Sequence, residues 1–369
     1  MAKSIFTFII LIHGLIHLLG FFKAFDIGDI SQLTAGISKP VGISWLIVAV
    51  LFLLTALTYL MNYSAWPFLA LAAVVVSQIL IFMAWGDAKF GTIANMIILL
   101  AVLPAIGQVM FNNKIENEQT ELIDQVSHSS DRILNEDDFS HLPSIVQQWL
   151  HTSGVPGNPD VSFVRLKQTG EMRTEPDGKW MDFKAIQYFD VKRPAFNWST
   201  KVKMMPLVHL AGRDKLTDGQ GEMIIKLLSL INVVNERDNE KINSGTMIRY
   251  LGEICWFPAA AINDYITWEE IDELSAKATL AVNGLEVSGI FRFNDEGEFT
   301  SFEAERFYGG GEDAKLQKWE VETVNYKTYD GYHIPNKLTV TWKLPEGDFT
   351  WLKLEITDLE VNTLERYLN

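Results

Sequence analysis

Apolar positions follow two regimes along this chain. In the first, almost unbroken apolar runs occupy 5–22, 41–61, 66–85 and 92–111. Each is about 18–21 residues long, enough for a helix to cross a hydrocarbon core of roughly 30 Å. Backbone polar groups in lipid must be satisfied within the segment, so helices are predicted. Trp45, Tyr59, Tyr63, Trp66 and Trp85 fall near run ends, where amphipathic rings prefer the interface. The first run follows Lys3 as a signal peptide would. It is longer than a usual apolar signal region, lacks a small-x-small exit and is followed by three more runs. Four retained transmembrane helices are predicted.

In the second regime the period changes. Residues 112–138 are polar with helical spacing of Ile115, Leu122, Ile123 and Val126, which predicts a helical stalk; 141–151 reads as a short amphipathic helix ended by Gly154 and Pro156. From Ser162 onward apolar residues alternate with polar ones. Strands are predicted at 162–173, 179–191, 195–204, 207–217, 221–228, 275–283, 285–294, 299–308, 317–328, 337–344 and 350–358. Asp177-Gly178, Asn283-Gly284 and Asp330-Gly331 sit where hairpin turns need positive φ. About eleven strands joined by short turns imply one strongly curved antiparallel sheet. Residues 244–257 interrupt it with helical spacing, a Ser cap signal and Pro258 as a stop; Met247, Tyr250, Leu251, Ile254 and Cys255 form its apolar stripe. A helix with that much apolar surface is expected to lie across the sheet as a plug or lid over an apolar cavity. The domain division is thus 1–112 (four-helix transmembrane), 113–140 (stalk) and 141–369 (antiparallel half-barrel with helical lid).

Charge sharpens the division. The chain has 369 residues and a net charge of −15, yet residues 1–112 hold four lysines against three aspartates, and the remainder 27 basic against 43 acidic residues. This excludes a purely soluble enzyme, a disordered chain and a protein that binds nucleic acid through a basic surface. Cys255 is the single cysteine, so no intrachain disulfide can form. Lys23, Lys39 and Lys89 against Lys3 and Lys114 lean toward both termini lying outside the cytoplasm.

Candidate chemistry is sparse. His13 and His17, four apart on one helical face near mid-membrane, form a candidate intramembrane site. The other spans offer no His, Cys, Asp or Glu, so hydrogen bonds between helices compete with a haem or metal reading. Asp87 and Lys89 lie in a polar turn. Arg249 and Glu253, four apart on the inserted helix, can pair; at a cavity mouth Arg249 can instead hold a lipid phosphate or carboxylate, with Trp256 beside it. The alternative is an ion pair locking the lid to the sheet, through Arg306 or Glu305. His209, Arg213 and Asp214 are read as an exposed strand face, Gly309-Gly310-Gly311 as a loop, and Cys255 as a buried thiol. No Gly-x-Ser-x-Gly elbow, P-loop, His-Glu-x-x-His or dinucleotide fingerprint occurs. No catalytic residue, cofactor or metal is assigned.

Arg249-Tyr250-Leu251-x-Glu253-x-x-Trp256-x-Pro258, then Ala304-x-Arg306-x-Tyr308 and Gly331-x-x-Ile334-Pro335, resemble an uncharacterised bacterial membrane-protein family of unknown function over 142–358. The succession Arg165-Leu166-x-Gln168-x-Gly170-x-Met172-Arg173, Trp180-x-x-Phe183 and Pro194-x-Phe196-x-Trp198 is similar to the lipoprotein-carrier (LolA-like) fold. That resemblance implies a half-barrel with a helical lid and a cavity for acyl chains. Those carriers are soluble or lipid-anchored, whereas this chain has four spans. The expected function is a membrane-anchored binding or transfer protein for a lipid-like ligand in the bacterial envelope, at the inner membrane with the C-terminal domain extracytoplasmic. Its expected partners are membrane lipids, the hydrophobic ligand and an envelope protein, with no nucleic acid. Expected ligand contacts are Arg249, Tyr250, Glu253, Trp256, Glu305 and Arg306. The alternatives are a hydrolase-type enzyme using Glu253, Glu305 and Arg249, and an envelope sensor or assembly partner.

Overall fold

The computed structural model of the chain describes residues 2–30, 33–127, 132–309, 311 and 313–367. Residues 128–131 of the expected stalk and Gly310 of the glycine triplet lie outside the described residues. Two compact units emerge. One holds the residues up to Asn113 with Leu228–Leu230; the other holds Lys114–Leu227 and the residues from Ile231 onward.

The first unit follows its apolar runs: α1 (Ala2–Ala24), α2 (Lys39–Leu60), α3 (Trp66–Met83), the single turn α4 (Trp85–Ala88) and the start of α5 (Gly91–Gln125). Among the described residues, four helices are long and apolar enough to cross a membrane. Pro40 and Pro67 sit in the first turns of α2 and α3, where the missing N–H has no helical partner to lose. Asp87 does more than sit in a polar turn. Its carboxylate accepts the Thr34 (2.7 Å) and Ala35 (3.1 Å) backbone N–H groups, fastening the α1–α2 connection to α4.

His13 and His17 are buried in this unit. His17 Nδ1 lies 2.8 Å from the His13 carbonyl, which can only accept, so Nδ1 carries the proton and Nε2 accepts from Ser77 Oγ at 2.9 Å. His13 Nε2 donates to Asn95 Oδ1 (2.8 Å), and Asn95 Nδ2 donates to Ser77 Oγ and Gln78 Oε1. The two imidazoles thus tie α1 to α3 and α5. Helices approach closely at small residues: a Cβ on Gly20 would stand 2.2 Å from the Trp45 ring. Gly20→Leu should therefore cost about 1–3 kcal/mol and lower the thermal midpoint of the detergent-solubilised helical unit; an unchanged midpoint would show that Trp45 does not rest there.

In the second unit, α6 (Ser144–Thr152) precedes β1 (Phe163–Met172), β2 (Met181–Asp190), β3 (Ala195–Met205), β4 (Val208–Thr217), β5 (Gln220–Leu227) and β6 (Ile231–Arg237). After α7 (Glu240–Glu253) come β7 (Ile266–Asp272), β8 (Ser275–Val282), β9 (Leu285–Phe293), β10 (Phe299–Tyr308), β11 (Lys315–Tyr329), β12 (Tyr332–Leu344) and β13 (Gly347–Val361). Among the described residues these thirteen strands form one open sheet, ordered β6-β5-β4-β3-β2-β1-β13-β12-β11-β10-β9-β8-β7, with antiparallel neighbours throughout. This is the curved antiparallel sheet read from the sequence, with two strands more than the eleven expected. The additions, β6 and β7, are the edges; β6 is exposed on both faces and β7 buries only Ile266 and part of Trp268, so neither shows the sustained alternation that marks a half-buried strand.

Topology dictates where the inserted helix runs. The chain leaves the sheet at edge β6 and re-enters at the opposite edge β7, so 238–265 must cross from one edge to the other. The helix starts earlier than the Ser244 signal suggests. Asn239 caps it by accepting the Ile242 N–H at 3.0 Å, while Ser244 bonds the Lys241 carbonyl inside the first turns. Beyond Glu253 it tightens into 3-10 turns at Ile254–Trp256 and Pro258–Ile262. Gly221 lets α7 close on β5: a Cβ there would stand 2.2 Å from Thr246 Oγ1.

The opposite face of the sheet receives the end of α5. Where the sequence suggests a free stalk, Leu122 and Val126 instead pack with Phe163, Tyr188, Ala195 and Tyr367. Arg213, read as part of an exposed strand face, is fully buried and pairs with Glu118 of α5 and Glu222 of β5.

Candidate functional site

Strand alternation directs Phe183 and Gln187 of β2, Trp198 and Val202 of β3, and Leu210 and Asp214 of β4 to the face covered by α7. Arg306 of β10, Trp319 of β11 and Val340 of β12 point the same way. At one end this face is filled: Trp149 of α6 stacks against Trp268, Phe291 and Phe293 at 5.7–6.1 Å. Toward the other end the walls stay apart and leave a cavity of about 560 Å³, lined by β1–β5, β10–β13, α7 and Trp256. Its walls are mainly apolar, including Met172, Phe183, Val202, Leu210 and Leu338. The volume falls in the range of roughly 300–1,000 Å³ usual for ligand pockets.

One polar cluster breaks the apolar wall. Arg249 of α7 donates from Nη1 to Asp214 Oδ2 (2.6 Å) and from Nε to Glu253 Oε1 (2.7 Å). Gln187 Nε2 donates to the other Glu253 oxygen at 2.7 Å. Arg249 also lies over the rings of Trp198 (4.7 Å) and Phe196 (5.1 Å). Burial works against the Arg249 charge, but Glu253 and Asp214 outweigh it and hold the guanidinium above its ordinary value. Burial pushes the Glu253 carboxyl up, against the pull of Arg249 and Gln187. The pair expected within the lid therefore exists, and its sheet anchor is Asp214 rather than Arg306 or Glu305. Arg249 has no free fork for a ligand, because Nε and Nη1 hold carboxylates and Nη2 donates to Gln187 Oε1 at 3.4 Å.

Arg306 is placed differently. Its guanidinium stacks over Trp319 (4.9 Å) and Trp342 (6.0 Å) and comes close to the backbone of α7 at Gly245, where a Cβ would stand 3.3 Å from Nε. Among the described residues it has no ion pair and no hydrogen bond. Burial first, then repulsion by Arg249, brings its pKa down to about 10, so it remains a cation at neutral pH. Stacking on tryptophan returns about 0.5–2 kcal/mol of the cost of a desolvated charge but satisfies none of its N–H groups.

Of the expected contacts, the fold thus brings Arg249, Glu253, Trp256 and Arg306 to one cavity. Tyr250 is fully buried outside it, its hydroxyl 3.0 Å from that of Tyr265. Glu305 alternates to the outer face of β10 and is exposed, so it cannot meet Glu253 across the sheet. That removes the paired carboxylates on which the hydrolase alternative drew. Cys255 lines the cavity, but burial pushes its thiol well up, which leaves little thiolate for nucleophilic attack. Gln187 escaped sequence reasoning, and Asp214, read there as part of an exposed strand face, is buried. A signal existed, since each is a polar residue on an apolar strand face, Gln187 between Ala185 and Phe189 and Asp214 between Gly212 and Leu216. Four lining residues also keep buried donors without acceptors: Gln168 Nε2 and the indole N–H groups of Trp256, Trp319 and Trp351.

The chain is similar to a LolA superfamily protein from Nitrosomonas europaea (12% identity, TM-score 0.33, 61% of this chain and 94% of that one). It is similar also to a candidate outer membrane lipoprotein-sorting protein domain from Vibrio parahaemolyticus (11%, 0.32, 56% and 87%). A third is a DUF1329 family protein from Desulfovibrio piger (9%, 0.31, 63% and 95%). No curated protein matches it. A family model matches residues 140–360, the span of α6 and the whole sheet with its crossing helix, and the chain belongs to that family of unknown function, DUF6920.

Proposed function

We propose that the β unit holds a lipid-like ligand in the cavity beneath α7, and that the apolar helices anchor it to a membrane of the cell envelope. The observation that carries this reading is the cavity itself, about 560 Å³ with mainly apolar walls. An apolar void this size is costly to leave hydrated, and hydrocarbon entering it gains roughly 25 cal/mol per Å² of apolar surface removed from water. Both carboxylates of this lining, Asp214 and Glu253, are engaged by Arg249, which suits a binding wall.

The full chain, extracted in mild detergent and purified, is expected to carry lipid detectable by mass spectrometry of an organic extract. Leu210→Trp, which adds bulk to the cavity wall, should reduce the retained lipid several-fold while leaving the fold intact by circular dichroism. Equal retention by both proteins, or no lipid in either, would remove the reading.

A further inference from the structure

We propose that the cavity ligand is an anionic amphiphile whose carboxylate or phosphate headgroup is received by Arg306, with its tail against the apolar walls. The inference rests on the cavity being a ligand site and names the chemistry of what enters it.

Three guanidinium groups line this cavity and two are already engaged, Arg173 by donating to the Thr350 and Pro176 carbonyls. Arg249 spends its fork on Asp214 and Glu253; Arg306 has no such partner among the described residues. Trp319 and Trp342 lie against its guanidinium carbon, a contact that uses the charge and none of the N–H groups. A planar fork of N–H donors matches the paired oxygens of a carboxylate or phosphate.

A second observation is independent of charge. The unpartnered buried polar atoms on the lining residues are all N–H donors, on Gln168, Trp256, Trp319 and Trp351. Buried donors in native proteins are nearly always satisfied. Where such donors border the cavity, an occupant bearing oxygens offers them acceptors and a purely hydrocarbon occupant offers none. The nearby carboxylates do not oppose an anion strongly, because Asp214 and Glu253 are turned toward Arg249 and Gln187.

The test compares palmitic acid, hexadecyl phosphate and methyl palmitate, which share a tail and differ in headgroup, on the delipidated full chain in detergent at mildly alkaline pH. The wild type should bind at least one of the two anions roughly tenfold or more tighter than the ester, the scale of a charge-assisted hydrogen-bonded contact. The tighter anion identifies the headgroup. In Arg306→Gln the preference should fall below about twofold with the ester affinity unchanged, and Arg306→Lys, which keeps the charge and loses the fork, should lie between. Equal wild-type affinity for ester and anions would overturn the inference and leave the lipid-binding reading standing. A full preference surviving in both variants would also overturn it, by placing the anion elsewhere. Failure of all three probes to bind the wild type would sink the two readings together.

Discussion

Arg249→Met is expected to destabilise the β unit by about 3–5 kcal/mol, measured by denaturant unfolding of the full chain in detergent with tryptophan emission as the probe. The substitution leaves Asp214 and Glu253 facing each other in a buried apolar setting without the cation that both contact at 2.6–2.7 Å. The size of the effect comes from the stranded carboxylates more than from the lost attraction. Removing the stranded charges by adding Asp214→Asn and Glu253→Gln should therefore recover a large part of the loss. Arg249→Lys should recover less, because an ammonium cannot reach two carboxylates in the planar geometry of the fork. If the single variant unfolds like wild type, the cluster does not bind α7 to the sheet.

Arg213→Met should cost a similar amount, about 3–5 kcal/mol, on the opposite face. Arg213 is fully buried, and its Nη2 donates to Glu118 Oε1 (3.1 Å) and Glu222 Oε2 (2.8 Å). The expected signature is local: amide exchange in 116–125 should accelerate while α7 stays protected. Uniform acceleration would instead show that the two faces unfold as one. The same cluster has a pH dependence of definite sign. Burial pushes the Glu222 carboxyl up, but the Arg213 hydrogen bond and Lys215 outweigh it and hold it below the ordinary glutamate range. A carboxyl lowered in the folded state stabilises above its unfolded pKa, and that contribution is lost as pH falls through the folded value. Glu253 behaves oppositely. Its carboxyl is raised by burial, so its ionisation opposes folding at neutral pH and acidification relieves that opposition. Acid below the ordinary glutamate range should therefore loosen the α5 end before it loosens α7.

Much of the fold was legible because its signals are local. The four apolar spans, α6 and most of the strands follow from apolar runs and from periods of 3.6 and 2; Asn283-Gly284 and Asp330-Gly331 adopt the positive φ expected of them, and Asp177-Gly178 does not. The edge strands β6 and β7 were missed for a physical reason, since β6 buries neither face and β7 buries only its first residues, so neither sustains alternation. The docking of α5 was missed because Leu122 and Val126 match a stalk equally well; only a partner surface on the sheet separates the two readings.

At the site, the sequence brought Arg249, Glu253, Trp256 and Arg306 into view, and it could not rank them. By itself it determined that a greasy helical third precedes a long antiparallel sheet, and that an apolar helix interrupts that sheet. The tertiary structure decided which charges meet. The order of the strands sends α7 from one edge to the other and sets Arg249 over Asp214 of β4, a contact across 35 residues that no local period encodes. The same crossing leaves Arg306 stacked on tryptophans without a counter-charge, because the helix reaches it with Gly245 where a carboxylate would have closed the pair.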